Sequence, residues 1–253
     1  MKSIRTPVAA ALLLATLPLA FGLSACGKKT DAAAVSDTAL PKVAPPVGKQ
    51  WSDVMTATPD GGTLMGNPDA QLKLVEYAAL SCSHCAAFAA EGFPRLRDEY
   101  VNSGRVSYEL RYFMLNPLDV PAVLLTTCAN TADTVIPMSE QFWAWQPTMF
   151  DNLKAAGQNA MTQVQALPAS KRPAAIARMT GMTDFFAQHG IATDQGATCL
   201  GNIAKASALA NATDKATKDF NVQGTPAFIL NGRNLDMSSW DVLEPVLQKA
   251  GAR

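Results

Sequence analysis

Two cysteines three positions apart, in the run Cys82-Ser83-His84-Cys85, carry the chemistry most plainly written in this chain. A Cys-x-x-Cys pair is suited to thiol–disulfide exchange: one thiolate attacks a disulfide sulfur and the second thiol resolves the mixed disulfide. The pair follows the apolar run Leu72-Lys73-Leu74-Val75-Glu76-Tyr77 and opens a helix-forming stretch over 86–90, which predicts a strand-to-helix junction at Cys82. At such a junction the unpaired N–H groups of the first helical turn and the positive end of the macrodipole face the leading sulfur and favour thiolate over thiol. Thiol pKa values in such motifs fall to roughly 3.5–7.5. Cys82 is therefore the candidate nucleophile, expected to be exposed and ionised, and Cys85, one turn further in, is the candidate resolving thiol.

Two neighbours bear on that chemistry. His84 lies between the cysteines, where a donor or an imidazolium stabilises the Cys82 thiolate, and a stabilised reduced form makes a stronger oxidant. Glu76 stands six residues before Cys82 and, by strand alternation, shares a face with Leu72 and Leu74. Desolvation on that apolar face is expected to raise its pKa, so that it accepts or returns the proton of Cys85 during exchange. Half a zinc site is the competing use of the pair. It requires two more ligands, and His84, His189, Cys128, Cys199 and the carboxylates show no second pair at the usual short spacing, so no metal is expected. Exchange between sulfurs also needs no small-molecule cofactor. Phe142, Trp143 and Trp145 are read as core at helical spacing rather than as a substrate groove, and His189 as a surface residue.

The elements that must hold these residues follow from pattern. Residues 72–77 form a short strand, with helix after the cysteines to about residue 100 and a kink or break at Gly92 and Pro94. Val106, Tyr108, Leu110 and Tyr112 alternate with Ser107, Glu109 and Arg111, the clearest strand in the chain. Segments rich in Ala, Met, Leu and Gln, interrupted by Pro or Gly, then predict a helical insertion over about 117–203. A helix over 204–220, a strand over 227–230 ended by Asn231-Gly232, and a last helix capped by Ser238-Ser239 complete the domain. Asp60-Gly61-Gly62 suggests an earlier hairpin. The class is α/β, interrupted by a helical block.

At the start of the chain Lys2 and Arg5 precede an almost wholly apolar stretch over 8–21, the pattern of an export signal over residues 1–25. Its end, Leu23-Ser24-Ala25-Cys26, resembles the lipobox of bacterial lipoproteins, which implies lipidation of Cys26 as the first mature residue. Gly27, in place of the Asp that in many Gram-negative bacteria marks inner-membrane retention, tilts the expectation to the outer membrane. Residues 26–50 read as a flexible tether and the folded domain as 51–253. Removing the signal takes away two of 21 bases, leaving about two more acids than bases. No dense Lys or Arg run suggests a nucleic-acid partner. Export places the cysteines where disulfides persist. With Cys26 lipidated, four cysteines remain and allow three pairings. If Cys82 and Cys85 are the redox pair, Cys128 and Cys199 are left to each other as a structural disulfide, worth roughly 4 kcal/mol on chain-entropy grounds.

Taken together, Leu74-Val75-Glu76-Tyr77 before Cys82-Ser83-His84-Cys85, the helical insertion, the aromatic run Phe142-Trp143-Ala144-Trp145 with Met149-Phe150, and Val222-Gln223-Gly224-Thr225-Pro226-Ala227-Phe228 resemble the DsbA-like branch of the thioredoxin superfamily, over about 72–250 and as a lipoprotein. The resemblance implies a thioredoxin-like fold with a helical insertion domain, a cis Pro226 facing the cysteines, and a Thr225 backbone that pairs with an extended peptide. It gives Glu76 the same proton-handling role. The His before the second cysteine is typical of oxidising members, whereas Ser83 replaces a common Pro and a Thr before the proline is shared with reductases and isomerases. The function expected is disulfide introduction into exported polypeptides, with a membrane redox partner to recycle the pair and a membrane attachment through lipid. The alternatives are a reductase or isomerase, and a tethered peptide-binding or chaperone module without catalysis.

Overall fold

The computed structural model describes residues 38–253. The expected signal segment, Cys26 and the first part of the expected tether lie outside the described residues. Strands β1 (Met55–Ala57) and β2 (Thr63–Gly66) come first, then β3 (Leu72–Ala78), helices α1 (Ser83–Glu91) and α2 (Phe93–Arg95), and β4 (Val106–Tyr112). A helical block follows: α3 (Asp119–Thr126), α4 (Ala132–Ala156), α5 (Gln158–Gln165), α6 (Arg172–Met179), α7 (Met182–Gln188) and α8 (Thr193–Leu200). The chain ends with α9 (Ile203–Phe220), β5 (Ala227–Leu230), β6 (Arg233–Asn234) and α10 (Trp240–Lys249).

The six strands form one sheet in the order β1-β2-β4-β3-β5-β6. Only β3 and β4 run parallel, which requires a crossover, and α1 and α2 supply it. Register puts Leu74 beside Tyr108 and Leu230, and Glu76 beside Leu110 and Phe228, all on one face. That face packs on α1, α2 and α10: Phe88 meets Phe228 at 4.8 Å between ring centroids and Phe93 meets Tyr108 at 5.0 Å, with Leu243 and Leu247 buried alongside. The opposite face carries Val75, Tyr77 and Ile229 against Ala216 and Phe220 of α9 and against Val222.

Because both faces are covered, β4 is buried along nearly its whole length, although its alternation predicts a wet side. Ser107 and Glu109 are only 2 % and 8 % exposed. The buried Glu109 carboxylate is compensated: Arg111 donates to it at 2.7 and 2.9 Å and the Thr58 hydroxyl at 2.6 Å.

The break expected near Gly92 separates α1 from α2, and Pro94 sits at the start of α2, where its missing N–H costs nothing. Gly92 also marks a close approach, since a Cβ there would lie 2.6 Å from Cβ of Trp240. Beyond α2 the chain widens into a π-helical stretch, Leu96–Val101. Not every proline of the insertion makes a break: α4 continues through Pro137 and Pro147, whereas Pro168 lies between α5 and α6. Burial of Ile136, Phe142, Trp143 and Met149 on that helix outweighs the roughly 3 kcal/mol penalty of an interior proline. Residues 38–50, read from sequence as the end of the tether, are tied to the domain. Leu40 N–H donates to the Gly251 carbonyl at 2.8 Å, Val43 N–H to that of Ser103 at 3.0 Å, and the Trp51 indole to that of Val43 at 2.8 Å.

Cys128, just beyond α3, is disulfide-bonded to Cys199 of α8, 71 residues later. Among the described residues no helix is long and apolar enough to cross a membrane. Replacing Cys128 and Cys199 together by Ala is expected to lower the unfolding free energy by roughly 4 kcal/mol in a urea titration, from the closed-loop length. The alkylation rate of Cys82 should be unchanged in that variant.

Candidate active site

Cys82 is the N-cap of α1, with φ −84° and ψ 119°, and its sulfur accepts a hydrogen bond from the Cys85 N–H at 3.3 Å. This cap geometry follows from the junction: β3 ends at Ala78, three residues turn, and the chain enters the helix with its first N–H groups unpaired. Both thiols are free, with the Cys82 S–H donating to the Thr225 carbonyl at 3.2 Å. Thr225 precedes Pro226 across a cis bond, which brings the expected peptide-holding segment against the leading sulfur. Among the described residues the buried Thr225 hydroxyl has no hydrogen-bond partner in this thiol form, leaving a donor free for the thiolate.

These contacts lower the Cys82 pKa to about 5. The largest cause is the Cys85 thiol, which donates to the Cys82 sulfur; burial opposes it, and the Thr225 hydroxyl and the backbone N–H groups of Cys85 and His84 add to the lowering. Cys85, fully buried, is pushed far above the ordinary thiol range by desolvation, by its bond to Cys82 and by the nearby Glu76 and Cys82 charges. One sulfur ionises readily and the other holds its proton.

Cys82 is less open than expected from sequence, with 7 % of its surface exposed. His84 differs more. Its ring is exposed and makes no hydrogen bond among the described residues, and what it contributes to the sulfur is its backbone N–H.

Glu76 lies on the apolar face predicted for it and is 1 % exposed. One carboxylate oxygen accepts from the Tyr108 hydroxyl at 2.6 Å, and the other has no hydrogen-bond partner among the described residues. Burial raises its pKa to about 8, against the lowering effect of the Tyr108 bond and with a further rise from Cys82. A carboxyl group that titrates near neutral pH beside a buried thiol is suited to proton transfer. Phe142 and Trp143 are core, as expected, and Trp145 stacks on Phe185 at 4.6 Å between centroids. His189 is half-buried rather than on the surface: its Nδ1 pairs with the Phe185 carbonyl at 2.7 Å, and its ring lies 4.1 Å from that of Phe185.

Comparison with known proteins agrees with this geometry. The family pattern described as Thioredoxin matches residues 58–249. The chain belongs to the thioredoxin superfamily. A crystal structure of a protein-disulfide isomerase from Novosphingobium aromaticivorans is 32 % identical, covers 76 % of this chain and 98 % of its own, and superposes with a TM-score of 0.71. Alpha-DsbA1 of Wolbachia pipientis, 17 % identical over 74 % of this chain and 89 % of its own, shares the fold with a TM-score of 0.56. A Rickettsia conorii protein named as a protein-disulfide oxidoreductase is 23 % identical over 197 residues, 76 % of this chain. The chain spans 61 % of the length of that relative.

This member of the thioredoxin superfamily gathers more residues around its cysteines than their spacing discloses. Tyr108 is missed by a reading of single strands; the available signal is the pairing of β4 with β3, which sets the Tyr108 side chain on the face of Glu76. Asp119, Trp143 and Gln146 also reach the loop before Cys82, from the helical block. No sequence spacing announces them.

Two outcomes follow for the cysteine pair and Glu76. Iodoacetamide labelling of reduced protein is expected to rise with pH about a midpoint near 5 and to be lost in Cys82→Ser. Because Glu76 has a raised folded pKa, its contribution to stability is full below about 4.5 and is lost as pH rises through about 8. Glu76→Gln should therefore match the wild type at pH 4 and become more stable than it by roughly 2–4 kcal/mol above pH 8, read from urea unfolding.

Proposed function

We propose that this protein is an exported dithiol oxidase that introduces disulfides into exported polypeptides through Cys82 and Cys85. The observation that carries the reading is the unequal pair: a Cys82 sulfur with a pKa of about 5 on the helix cap, and behind it a Cys85 thiol held protonated.

In the oxidised protein a substrate thiolate attacks the Cys82 sulfur. A substrate–Cys82 disulfide forms, the Cys82–Cys85 bond breaks, and its electron pair leaves on Cys85, which takes a proton from Glu76. A second substrate thiolate then attacks the substrate sulfur of the mixed disulfide and expels Cys82 as a thiolate. The substrate becomes a disulfide, having passed two electrons to the pair. The stabilised Cys82 thiolate is the better leaving group and holds the reduced protein at lower free energy, so the couple favours oxidising its substrate. Thr225 and Pro226 hold the substrate backbone in this scheme. His84 acts on the potential through its position between the sulfurs, and a membrane redox partner removes the electrons.

Residues 1–25 act in this reading as a lipoprotein signal, and lipidated Cys26 anchors the protein on the periplasmic side of a membrane, the outer one being favoured by Gly27. Mass spectrometry of the mature N-terminus tests the anchor, which unmodified Cys26 would exclude.

A second reading, as an isomerase or reductase, is favoured by the likeness to the Novosphingobium protein-disulfide isomerase and by Thr225. Equilibration of the pair with glutathione separates the two. An oxidase is expected toward about −120 mV, and a value near or below about −180 mV would replace it with the second reading. The same oxidase should be more stable reduced than oxidised at pH 7. Full activity of the Cys82→Ser variant in cells would leave only a tethered binding or chaperone module.

A further inference from the structure

Four consecutive residues lead from β3 into α1, and each has a backbone group held by a side chain of the helical insertion. The Trp143 indole donates to the Ala79 carbonyl at 3.1 Å. The Gln146 amide donates to the carbonyls of Leu80 at 2.7 Å and of Cys82 at 3.1 Å. Asp119 accepts from the Ser81 N–H at 2.8 Å and hydroxyl at 3.0 Å, and from the N–H groups of Leu115 and Asn116, both at 3.0 Å. Asp119 is fully buried and Gln146 is 3 % exposed.

Buried polar groups of this kind add little net stability over well-packed apolar ones, yet they admit very few alternative geometries when fully satisfied. What they fix here is specific. The Cys82 carbonyl that Gln146 holds is also the acceptor for the Ala86 N–H at 3.1 Å, the bond that starts α1. The peptide group joining Leu80 to Ser81 and the one joining Cys82 to Ser83 are thus held before and after Cys82, the residue that presents its sulfur to the Cys85 N–H and to the Thr225 carbonyl.

We propose that Gln146 and Asp119 are positioning residues of the redox centre, through which the helical insertion holds the Cys82 backbone in its cap geometry and so sets the potential of the Cys82–Cys85 couple. The proposal rests on the reading of Cys82 as the exchange nucleophile. Loss of either grip lets the junction relax, moves the sulfur off the α1 N–H groups, and makes the reduced form less favourable.

The test compares wild type with Gln146→Met, Asp119→Asn and, as an insertion variant remote from the loop, Ile176→Ala. Each is assayed for melting temperature, for the pH midpoint of Cys82 alkylation and for the equilibrium constant of reduction by glutathione. In Gln146→Met and Asp119→Asn the midpoint should rise by about one pH unit, and reduction by glutathione should become about tenfold less favourable, equivalent to about 30 mV. Ile176→Ala should melt lower while both redox quantities stay within about twofold of wild type. If Asp119→Asn does not fold, Gln146→Met decides alone, because its side chain conserves volume. A folded Gln146→Met with unmoved midpoint and unmoved equilibrium constant overturns the proposal. A wild-type midpoint at the ordinary thiol value, near 8.5, would instead overturn the exchange reading beneath it.

Discussion

The sulfur of Cys82 occupies the place that a Ser or Asp takes at most helix starts, and that single contact with the Cys85 N–H organises the site. A helix cap must satisfy orphan donors. When the capping atom is a thiol, the same donors that need an acceptor are best served by a thiolate, so local backbone physics and sulfur reactivity become one requirement. The neighbouring Cys85 thiol strengthens the effect, since it donates to Cys82 and in doing so is held in its own neutral form. The asymmetry of the pair therefore comes from geometry rather than from any difference in residue type.

A site of this kind has to keep charge near apolar packing without letting it spread. Glu76 lies between β3 and the α1–α2 crossover, beside Phe88 and Phe93, with Tyr108 as its hydrogen-bond partner. Burial makes ionisation costly for this carboxyl group and for Cys85, and the Glu76 charge raises the cost for Cys85 further. In the exchange proposed for the pair, a proton passed between them would avoid two buried negative charges at once. The sheet supports this arrangement from both faces, with α9 covering the side away from the cysteines, so neither β3 nor β4 has a wet face on which a carboxylate is cheap.

The helical insertion stands in a different relation to the cysteines than an appended lid. Its α4 packs on α1 and, with Asp119 of α3, it supplies the hydrogen bonds that the β3–α1 loop lacks within the sheet domain. A loop that leaves a strand and enters a helix has backbone groups with no ladder and no helical partner. Trp143 and Gln146 answer that deficit from outside. The aromatic run that contains them packs into the core as its helical spacing indicates, and two of its polar atoms turn toward the loop.

Much of this was legible in the chain. The Cys-x-x-Cys pair, its junction and the periodicity of 72–77 and 106–112 depend on residues close in sequence, where local rules for caps, strands and turns operate. Glu76 was legible for the same reason: alternation over five residues suffices to put it on the face of Leu72 and Leu74. The helical block was readable as helices but not in its breaks, because the cost of Pro137 and Pro147 is offset by packing that no local pattern records. The role of Tyr108, the second buried face of β4 and the hold of Asp119 and Gln146 on the loop were decided only in three dimensions. Asp119 lies 38 positions from Ser81 and Gln146 lies 64 from Cys82, and a hydrogen bond over such a span is fixed by how whole elements pack rather than by spacing. Spacing along the chain marks the two sulfurs of the motif, whereas packing sets how tightly they are held, because holding depends on partners the chain brings back from far away.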